Sequence, residues 1–518
     1  RSRPRRPVRR ARSILALASL ALAAGAAEFD PWFGDGMVLQ RDRPIVIRGL
    51  ARPGADVLVR LGDVAVGIAA DADGRWTARF PARPASTRAV ELEARDEGTA
   101  AKVADILIGD VWLAAGQSNM EFPLRREAHA AEELPRATLP LVRLRHHAFA
   151  GQYHGASRLD AETIARLTPE RFFEGSWQRC TPAAAAEVSA VGYYFARKVA
   201  AETGVPIGLV NFAVGGAPIE GFISVDALRR SPDFGKKVAG DWLVNEAIDG
   251  DFVRLRARQH LAGAGRAPRD ALGLNHAYKP GFAWAAGPGR LTDQPLKGVL
   301  WYQGESNALR AVDVEEYDGL MRLLIADWRE QWRDPALPFL WCQLPAIDEP
   351  TRLHWPRFRE VQRQLETSVK ETGMAVTLDL GAPKDVHPRE KREVGERLAR
   401  WALFHQYGRA DVRPSGPLPT KATFDGQAIT VAFRFAEGLA FRPGRPPQVE
   451  VLPTKDGATF SAEGVVPQVV GDKLVIPWPA SGRAAPAKVR YAWSMNAQAA
   501  LANDAGLPAT PFELAISR

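Results

Sequence analysis

The chain has 518 residues, of which 46% are hydrophobic and 25% are charged, so it is long enough for two or three globular domains. Its formal net charge is +8, but seven positive charges belong to arginines within residues 1–12, which leaves +1 for the rest. This balance excludes the basic face expected of a nucleic-acid-binding protein.

The N-terminal segment is predicted to be an export signal. The arginines precede a short apolar run, Ile14–Ala24, and the small residues Gly25, Ala26 and Ala27 follow it. A basic segment, a short apolar core and a small-residue cleavage site are typical of a secretory signal peptide. We therefore predict a signal peptide over residues 1–26, cleavage near Ala26, and an exported protein, periplasmic or extracellular. No other apolar run is long enough to span a membrane, so the mature protein is expected to have no membrane span.

Residues 28–108 predict a small β-sandwich-like module. Short stretches of alternating apolar residues are separated by residues that favour turns. In Val57–Leu61 and in Trp76–Phe80 every second residue is apolar, which is the pattern of a strand with one buried face.

From residue 109 the pattern changes to buried strands that alternate with helices. This alternation predicts a parallel sheet with helices on both faces, and we assign it to one domain over residues 109–408. The irregular segments 125–190 and 229–290 are predicted to be inserts around the site. Strands are predicted at Val111–Ala115, Ile207–Ala213, Gly298–Tyr302, Phe339–Leu344 and Ala375–Leu380, and helices at Ala190–Thr203, Val314–Trp332, Phe358–Val369 and Arg389–His405.

Residues 409–518 return to short strand patterns, with many prolines and glycines between them. We predict a second β module of ordinary domain size there. Its strands are predicted at Ala428–Phe435, Lys473–Trp478 and Val489–Trp493.

Polar or glycine-rich segments follow four of the predicted core strands. These segments are Gly116–Asn119, Val214–Glu220, Gln303–Asn307 and Gly381–Pro388. In an open parallel sheet, ligands bind at the carboxyl ends of the strands, so the four segments are expected to meet at one edge.

Ser118 is the candidate nucleophile and His387 the candidate base. A serine just past a buried strand is held rigidly but faces outward, and it needs a base to be reactive. Pro388 fits the first position of a helix, so His387 is predicted to stand at a helix start. Asp385 and His387 share one side of an extended segment, so the carboxylate can orient the ring. The alternatives are a turn serine that only caps a helix and a surface histidine beside a turn aspartate.

Ser306 is a rival nucleophile, because Gly304-Glu-Ser-Asn307 repeats the form of Gly116-Gln-Ser-Asn119. The acidic neighbour of Ser306 disfavours a developing alkoxide, so Ser118 is preferred. Gly215 and Gly216 let backbone approach a ligand closely, and one of their N–H groups is a candidate oxyanion donor.

Neither a metal site nor a disulfide is indicated by the cysteines. Cys180 and Cys342 are the only two, and they do not form a Cys-x-x-Cys pair. No His/Cys cluster has zinc-ligand spacing. Whether the two cysteines pair or remain two buried thiols stays open, because sequence does not place their Cα atoms.

Three motifs together resemble the sialate O-acetylesterase family of the SGNH hydrolases. They are Gly116-Gln-Ser-Asn-Met120, Trp301-Tyr-Gln-Gly-Glu-Ser-Asn307 and Asp385-Val-His-Pro388. The segment Phe33–Pro44 is similar to the β module that such proteins carry before the catalytic domain. The resemblance covers most of residues 29–408 and the C-terminal β module more loosely. It departs at Ala217 and Phe222, where relatives often have Thr and Trp, which affects specificity for the acceptor more than the acyl chemistry.

The resemblance implies an α/β fold with an SGNH-type three-layer αβα core and a parallel sheet, flanked by small β-sandwich-like modules. It implies a catalytic triad of Ser118, His387 and Asp385, and no metal or cofactor. It also implies an oxyanion hole and substrate contacts. The oxyanion hole would use the N–H of Ser118, Gly216 and a side-chain amide of Gln303 or Asn307, and the substrate contacts would be Gln117 and Glu305.

The sequence therefore predicts an exported serine esterase that removes acetyl groups from a carbohydrate, with an O-acetylated sialic acid as the first candidate substrate. One alternative is an esterase for acetylxylan or another plant polysaccharide. An alternative of another class is a catalytically inactive carbohydrate-binding protein. The oligomeric state stays open. Aromatic residues of the inserts are expected to pack on sugar rings, namely Phe172, Trp177, Trp242 and Trp284.

Overall fold

The structure of the protein is a computed structural model that describes residues 27–97, 100–265, 267–453, 460–461, 466–478 and 485–517. The predicted signal peptide lies outside the described residues. Within these ranges, no helix is both long enough and apolar enough to cross a membrane.

The N-terminal part consists of short strands, most of which pair in an antiparallel manner. The strand Asp56–Leu61 alternates between exposed and buried residues, as predicted, because only one of its faces contacts the core. The strands of this part are Glu28–Phe29, Val38–Gln40, Ile45–Leu50, Asp56–Leu61, Val64–Ala69, Arg75–Phe80 and Ser86–Arg95.

One long strand, Ala100–Gly116, connects the N-terminal strands to the central sheet. Its first half pairs antiparallel with Ser86–Arg95, and residues 110–114 pair parallel with Ile207–Asn211. The second half is buried throughout, as expected for a strand that has neighbours on both faces. The strand is therefore much longer than the predicted Val111–Ala115, and its carboxyl end is Gly116.

The central sheet is mixed but mainly parallel. Its neighbours run parallel from Leu139–His146 through to Thr372–Ala375, and Trp177–Cys180 joins antiparallel at one end. The protein is thus an α/β protein with a mostly parallel sheet, as predicted. Its strand order is Trp177–Cys180, Leu139–His146, Ile207–Asn211, Ala100–Gly116, Gly298–Tyr302, Phe339–Cys342 and Thr372–Ala375.

The strand predicted at Ala375–Leu380 is wrong, since the strand is Thr372–Ala375 and Leu378–Leu380 is a 3-10 turn. Gln343 N–H still donates to the carbonyl of Ala375. The next ladder position is taken by a side chain, because the hydroxyl of Thr377 donates to the Gln343 carbonyl. The ladder therefore ends there, and the chain leaves the sheet.

In the part of the chain that the structure describes, four long helices cover the parallel strands on both faces. Trp112 contacts Phe195 on one face, with ring centroids 4.8 Å apart. Trp301 points to the opposite face, where its indole N–H donates to the hydroxyl of Tyr317 over 3.4 Å. On the first face two helices approach closely, since a Cβ at Gly395 would lie 2.4 Å from the Val191 carbonyl oxygen. The helices are Ala190–Thr203, Ala311–Trp332, Trp355–Ser368 and Arg392–His405.

The prediction of inserts at 125–190 and 229–290 is partly wrong, since the first segment contains two strands of the central sheet, Leu139–His146 and Trp177–Cys180. The rest of both segments forms short elements. Their short helices include Ala130–Glu133, Ala161–Ala165, Pro182–Glu187, Leu255–His260 and Phe282–Ala286, and their short strands include Ala148–Phe149, Phe173–Glu174, Arg269–Asp270 and Gly273–Leu274.

The C-terminal strands dock on the core through a buried arginine. The guanidinium of Arg359 donates to the carbonyls of Ser494 and Met495 and, on the core side, to those of Leu344 and Pro345. The strands of this region are Leu418–Phe424, Ala428–Arg434, Ala440–Phe441, Val449–Pro453, Phe460–Ser461, Gln468–Val470, Lys473–Pro477, Pro486–Tyr491, Leu501–Ala502 and Phe512–Ser517.

Candidate active site

Ser118 lies at the carboxyl end of the strand Ala100–Gly116, as the first residue of the short helix Ser118–Glu121. The turn before it requires glycine: Gly116 has a φ of +127°, and a Cβ there would lie 2.2 Å from the Tyr302 carbonyl oxygen. The N–H of Gln117 donates to that same carbonyl over 2.9 Å. The neighbouring strand therefore fixes the turn, and the turn presents Ser118 to a cavity at the edge of the sheet.

The ring of His387 faces Ser118, and its Nε2 lies 2.8 Å from the serine hydroxyl oxygen. The expected helix start at Pro388 is wrong, because the helix begins at Arg392 and His387 lies in the preceding loop. Arg389 is held outside the helix by two contacts. Its carbonyl accepts from Ala128 N–H over 2.9 Å, and its Nε donates to the Arg126 carbonyl over 3.0 Å.

Asp385 lies beside His387 on the side away from Ser118. Its Oδ1 is 3.7 Å from His387 Nδ1 and accepts the backbone N–H of His387 over 2.8 Å. The carboxylate is mostly exposed, with 59% of its side chain accessible. Asp385 therefore stabilises the loop through a backbone hydrogen bond, and its carboxylate lies beyond hydrogen-bonding distance of the His387 ring.

Burial is the main reason that the pKa of His387 lies below its ordinary value. The positive charge of Lys391 lowers this pKa further, and Asp385 opposes the shift. A neutral imidazole is the form that can accept the proton of Ser118 at near-neutral pH.

Of the other predicted residues, the structure brings Gly216, Gln117 and Glu305 to the cavity, together with Ser118. The adjacent Gly215 N–H is directed to the carboxylate of Glu121. The side-chain oxygen of Gln117 accepts from the N–H groups of Gly304 and Ser306 at 3.3 and 3.2 Å. Gln117 therefore also holds the third motif in place.

Gln303 and Asn307 lie behind the cavity wall and do not line the cavity around Ser118. Gln303 Nε2 donates to Asn307 Oδ1 over 2.7 Å, and Asn307 Nδ2 donates to Glu220 over 3.1 Å. Both side-chain amides are thus engaged with protein groups.

Ser306 lines the same cavity but is bonded differently. Its hydroxyl donates to the carbonyl of Gly216 over 3.0 Å, so its proton is directed to a weakly basic backbone oxygen and not to a general base. The geometry therefore favours Ser118 over Ser306 as nucleophile, in agreement with the electrostatic argument.

The cavity has a volume of about 560 Å³ and is formed largely by the inserts. The expectation for its aromatic lining is wrong: Phe172, Trp177, Trp242 and Trp284 are each at most 7% exposed and pack inside the protein. The apolar pattern of the sequence does not show whether an aromatic residue packs in the core or lines a binding cavity. The aromatic residues that line the cavity are Phe122, Phe149, Tyr153, Phe252 and Tyr278.

Three arginines also line the cavity, which the sequence analysis missed. Arg256 donates to the carbonyl of Gly155, and Arg352 donates to the carbonyl of Glu305. The guanidinium of Arg126 stacks on Phe122 at 5.1 Å and has no hydrogen-bond or ion-pair partner among the described residues. Arg126 therefore presents a free cation beside Ser118 and His387.

Glu121 is a buried carboxyl group in the cavity wall, three residues after Ser118. Burial raises its pKa to about 7, although a hydrogen bond from Gln152 and the nearby N–H of Gly215 favour the charged form. A half-protonated carboxyl at neutral pH is unusual and makes this wall sensitive to pH.

Within the described part of the chain, Glu127, His129 and Glu390 place ligand atoms within 4.8 Å of one another. Spacing along the sequence does not reveal this group, because Glu390 comes from a distant loop. His129 Nε2 is already bonded to Glu390 over 2.8 Å, and the three residues do not line the cavity. Cys180 and Cys342 are both free and buried, which settles their pairing.

The chain is similar to known carbohydrate and sialate acetylesterases. Residues 287–403, which contain Gln303–Asn307 and His387, match the family model "Carbohydrate esterase, sialic acid-specific acetylesterase". Human sialate O-acetylesterase is 28% identical over 425 residues, which cover 76% of this chain and 73% of the human protein. Mouse sialate O-acetylesterase is 27% identical over 447 residues, which cover 79% of this chain and 79% of the mouse protein. The crystal structure of a carbohydrate acetylesterase from Xanthomonas citri is 31% identical, with a TM-score of 0.74, and covers 94% of this chain and 99% of that one.

Proposed function

Because this chain belongs to the sialate O-acetylesterase family of carbohydrate esterases, we propose that it hydrolyses O-acetyl esters of carbohydrates through an acetyl-enzyme on Ser118. The observation that carries the proposal is the 2.8 Å contact between His387 Nε2 and the Ser118 hydroxyl at the edge of an open cavity. A serine bonded to a neutral imidazole is the arrangement that nucleophilic acyl transfer requires.

In the acylation step, His387 Nε2 takes the hydroxyl proton of Ser118 as the serine oxygen attacks the acetyl carbonyl carbon. The resulting oxyanion lies near the backbone N–H groups of Ser118 and Gly216, which stabilise the developing charge. The protonated imidazole then gives its proton to the sugar oxygen as the ester C–O bond breaks. Asp385 favours the ring orientation that keeps Nε2 toward Ser118.

In the deacylation step, water takes the place of the sugar alcohol. His387 removes one proton from that water as its oxygen attacks the acetyl-serine carbonyl. Collapse of the second tetrahedral intermediate releases acetate, and the proton on His387 returns to the oxygen of Ser118. No metal or cofactor takes part in either step.

Among carbohydrates, an O-acetylated sialic acid is the preferred candidate substrate. Sialic acids carry a carboxylate, and Arg126 offers, beside the catalytic pair, a guanidinium that none of the described residues pairs with. Charge-assisted hydrogen bonds between arginine and a carboxylate are among the stronger polar contacts. A neutral plant polysaccharide, such as acetylxylan, would give this cation no partner.

Acetate release from a panel of substrates tests the function. We expect O-acetylated sialic acids to be hydrolysed with a higher kcat/KM than acetylated xylan. Turnover of p-nitrophenyl acetate separates an esterase from an inactive carbohydrate-binding protein, because the latter would bind sugar without releasing nitrophenol. Activity on acetylxylan alone would retain the Ser118 mechanism and reject the sialic acid assignment.

We also infer the division of the chain and its location. Residues 109–408 would form an SGNH-type three-layer αβα catalytic domain between two β modules, 28–108 and 409–518. The parallel strands with helices on both faces support the layered core, and the strand Ala100–Gly116 continues across the boundary at residue 108. Residues 1–26 would direct export and be removed near Ala26. Mass spectrometry of the mature protein tests the cleavage, since retention of the arginine-rich segment would contradict it.

A further inference from the structure

Lys391 is a fully buried lysine near the catalytic pair, and the mechanism above does not use it. It lies at the start of the helix Arg392–His405, four residues after His387. Its ammonium group lies 5.0 Å from the ring centre of Phe122 and 5.5 Å from that of Tyr302. Within the described part of the chain, no carboxylate forms an ion pair with it at 4 Å or less. A buried ammonium without such a partner is costly, so its remaining contacts are informative.

The hydrogen-bond acceptor of Lys391 is the side chain next to the candidate nucleophile. Its Nζ lies 2.6 Å from Asn119 Oδ1. An ammonium group can only donate, so the oxygen of the Asn119 amide must face Lys391. This contact fixes which way the amide points, and the Nδ2 group must therefore point in the other direction.

The Nδ2 group of Asn119 joins the other two catalytic motifs. It donates to the carbonyl of Val386 over 2.9 Å, and Val386 immediately precedes His387. It also donates to the buried carboxylate of Glu305 in the third motif. One amide thus connects the Ser118 turn, the His387 loop and the Gln303–Asn307 segment, and Lys391 sets its orientation.

We propose that Lys391 is a positioning residue: through Asn119 it holds the His387 loop at hydrogen-bonding distance from Ser118, and its charge favours the neutral imidazole. This inference rests on the proposed function, because it takes His387 as the base. A flexible loop without this anchor would let the His387 ring move away from the serine. Displacements of about 1 Å at a catalytic group can lower rates by roughly two orders of magnitude.

The charged groups that face His387 are Lys391, Arg126, Arg352 and Asp385. The three cations lower the pKa of His387, and the aspartate opposes them. Burial lowers the pKa of Lys391 itself to about 8. Lys391 therefore carries its charge throughout the acidic and neutral range, in which His387 titrates.

Two substitutions separate positioning from charge. Lys391→Met removes the donor and the charge but keeps an unbranched side chain. Lys391→Gln removes the charge but keeps an N–H donor for Asn119 Oδ1. The matched control is Lys279→Met, which also removes a buried lysine but from an ion pair with Asp270 in the insert. The measurement is kcat/KM for p-nitrophenyl acetate between about pH 5 and 8.5, whose acidic limb reports the pKa of the base.

We expect Lys391→Met to lower kcat by at least about 10-fold, with a smaller effect on KM, since the contact orders catalytic groups rather than substrate. The acidic limb of both Lys391 variants should move to higher pH by about half a unit or more, because a nearby cation has been removed. Lys391→Gln should have a higher kcat than Lys391→Met, but its acidic limb should be shifted to higher pH in the same way. Lys279→Met should leave the limb in place.

An unchanged acidic limb in both Lys391 variants, or full activity in Lys391→Met, would overturn the inference. If Lys391→Met does not fold, Lys391→Gln carries the test alone, since it must show the shifted limb. The readout does not depend on the sugar. An inactive wild-type protein would contradict the proposed function, whereas an active one with unaltered Lys391 variants would contradict only this role.

Discussion

His387 Nε2 lies 2.8 Å from the hydroxyl oxygen of Ser118, although the two residues are 269 positions apart in the sequence. The third member of the proposed triad is placed less tightly, because Asp385 is 3.7 Å from the ring and mostly exposed. Solvent screens an exposed carboxylate. The serine–histidine pair should therefore account for most of the catalysis, with a smaller share for the acid.

Substitution of the catalytic pair should abolish most activity. We expect Ser118→Ala and His387→Ala each to lower kcat for p-nitrophenyl acetate by roughly 10³-fold or more, because the two act as a unit. Asp385→Asn should lower kcat clearly less, since the carboxylate lies 3.7 Å from the His387 ring. The measurement is steady-state kinetics on variants whose thermal unfolding matches that of the wild type.

Ser306→Ala is the control for this assignment, because Ser306 lies in the same cavity and its hydroxyl donates to the Gly216 carbonyl. It should reduce activity modestly at most. A fluorophosphonate probe should label the Ser306→Ala variant and fail to label Ser118→Ala. The reverse labelling pattern would show that Ser306 is the nucleophile.

Most of the central sheet could be predicted because several of its strands, such as Gly298–Tyr302, are short continuous apolar runs. Leu139–His146 and Trp177–Cys180 were missed, because polar residues interrupt their apolar pattern and both lie in a segment that was predicted to be an insert. Gly298–Tyr302 has the predicted boundaries, and Ile207–Asn211 begins where it was predicted to begin. Parallel topology then places all carboxyl ends at one edge, so Ser118 and His387 could be expected to meet. This inference needs only that the strands run parallel, which the alternation of buried strands with helices indicates.

The details of the site depend on contacts that periodicity does not encode. Pro388 suggested a helix start, but hydrogen bonds from the 126–128 segment keep Arg389 outside the helix. Gln303 and Asn307 looked like oxyanion donors, yet each bonds to a buried protein partner. Such partners come from distant segments, so they become visible only when the chain is folded.

Arg126 should discriminate between charged and neutral sugar substrates. We expect Arg126→Ala to lower kcat/KM for an O-acetylated sialic acid by about 10-fold or more, because one charge-assisted contact is lost. The methyl ester of that sugar lacks the negative charge and should be hydrolysed equally by both proteins. The measurement is acetate release from the acid and from its methyl ester.

Arg125→Ala is the matched control for this test. Arg125 is the adjacent residue, but it is paired with Glu187 over 2.8 Å and does not line the cavity. It should leave the preference for the acid unchanged. If the wild type does not distinguish the acid from its methyl ester, Arg126 has no role in recognising a carboxylate.

Activity should not depend on a metal ion. Glu127, His129 and Glu390 do not line the cavity, and the proposed chemistry is complete with Ser118 and His387. Prolonged treatment with EDTA should therefore leave kcat within about 2-fold of its initial value, as expected for general acid–base and nucleophilic catalysis. Loss of activity that returns on addition of zinc or calcium would refute this prediction, and His129→Ala would then identify whether this group is responsible.

Glu121 should make stability fall as the pH rises. Its pKa in the folded protein is about 7, above the ordinary value of 4.5, so the folded state holds this proton more tightly than the unfolded state. Its contribution to the free energy of unfolding is therefore full below pH 4.5 and is lost progressively up to pH 7. The loss amounts to as much as about 3 kcal/mol.

The comparison of wild type with Glu121→Gln isolates this group, because glutamine does not titrate. Glutamine has one side-chain oxygen, so it satisfies the N–H groups of Gln152 and Gly215 less well than a carboxylate does. This lowers the free energy of unfolding of the variant by an amount that does not change with pH. Relative to the wild type, the variant should gain stability between pH 5 and 8 in urea unfolding. A difference in the free energy of unfolding that stays constant with pH would show that Glu121 does not titrate there.

The last prediction concerns the length of the acyl chain. The wall beside Ser118 is close, since a Cβ at Gly215 would lie 3.9 Å from Ser118 Cβ and 2.6 Å from a carboxylate oxygen of Glu121. On the neighbouring Gly216, a Cβ would lie 2.1 Å from the hydroxyl of Tyr278 and 3.4 Å from the ring of Phe252. The room for an acyl chain beside Ser118 is therefore limited, and polar groups of Glu121 and Tyr278 form part of its wall.

A short acyl site beside a large cavity fits an ester with a small acyl group and a large alcohol. Binding energy on the alcohol side raises the turnover of the full substrate over a truncated one. An added methylene changes discrimination by only about 1–3 kcal/mol, so acetyl should be preferred to propionyl by roughly 10- to 200-fold. The test compares p-nitrophenyl acetate, propionate, butyrate and octanoate with an O-acetylated sialic acid. A higher kcat/KM on octanoate than on acetate, with no release of acetate from any acetylated sugar, would indicate a lipid-directed esterase instead.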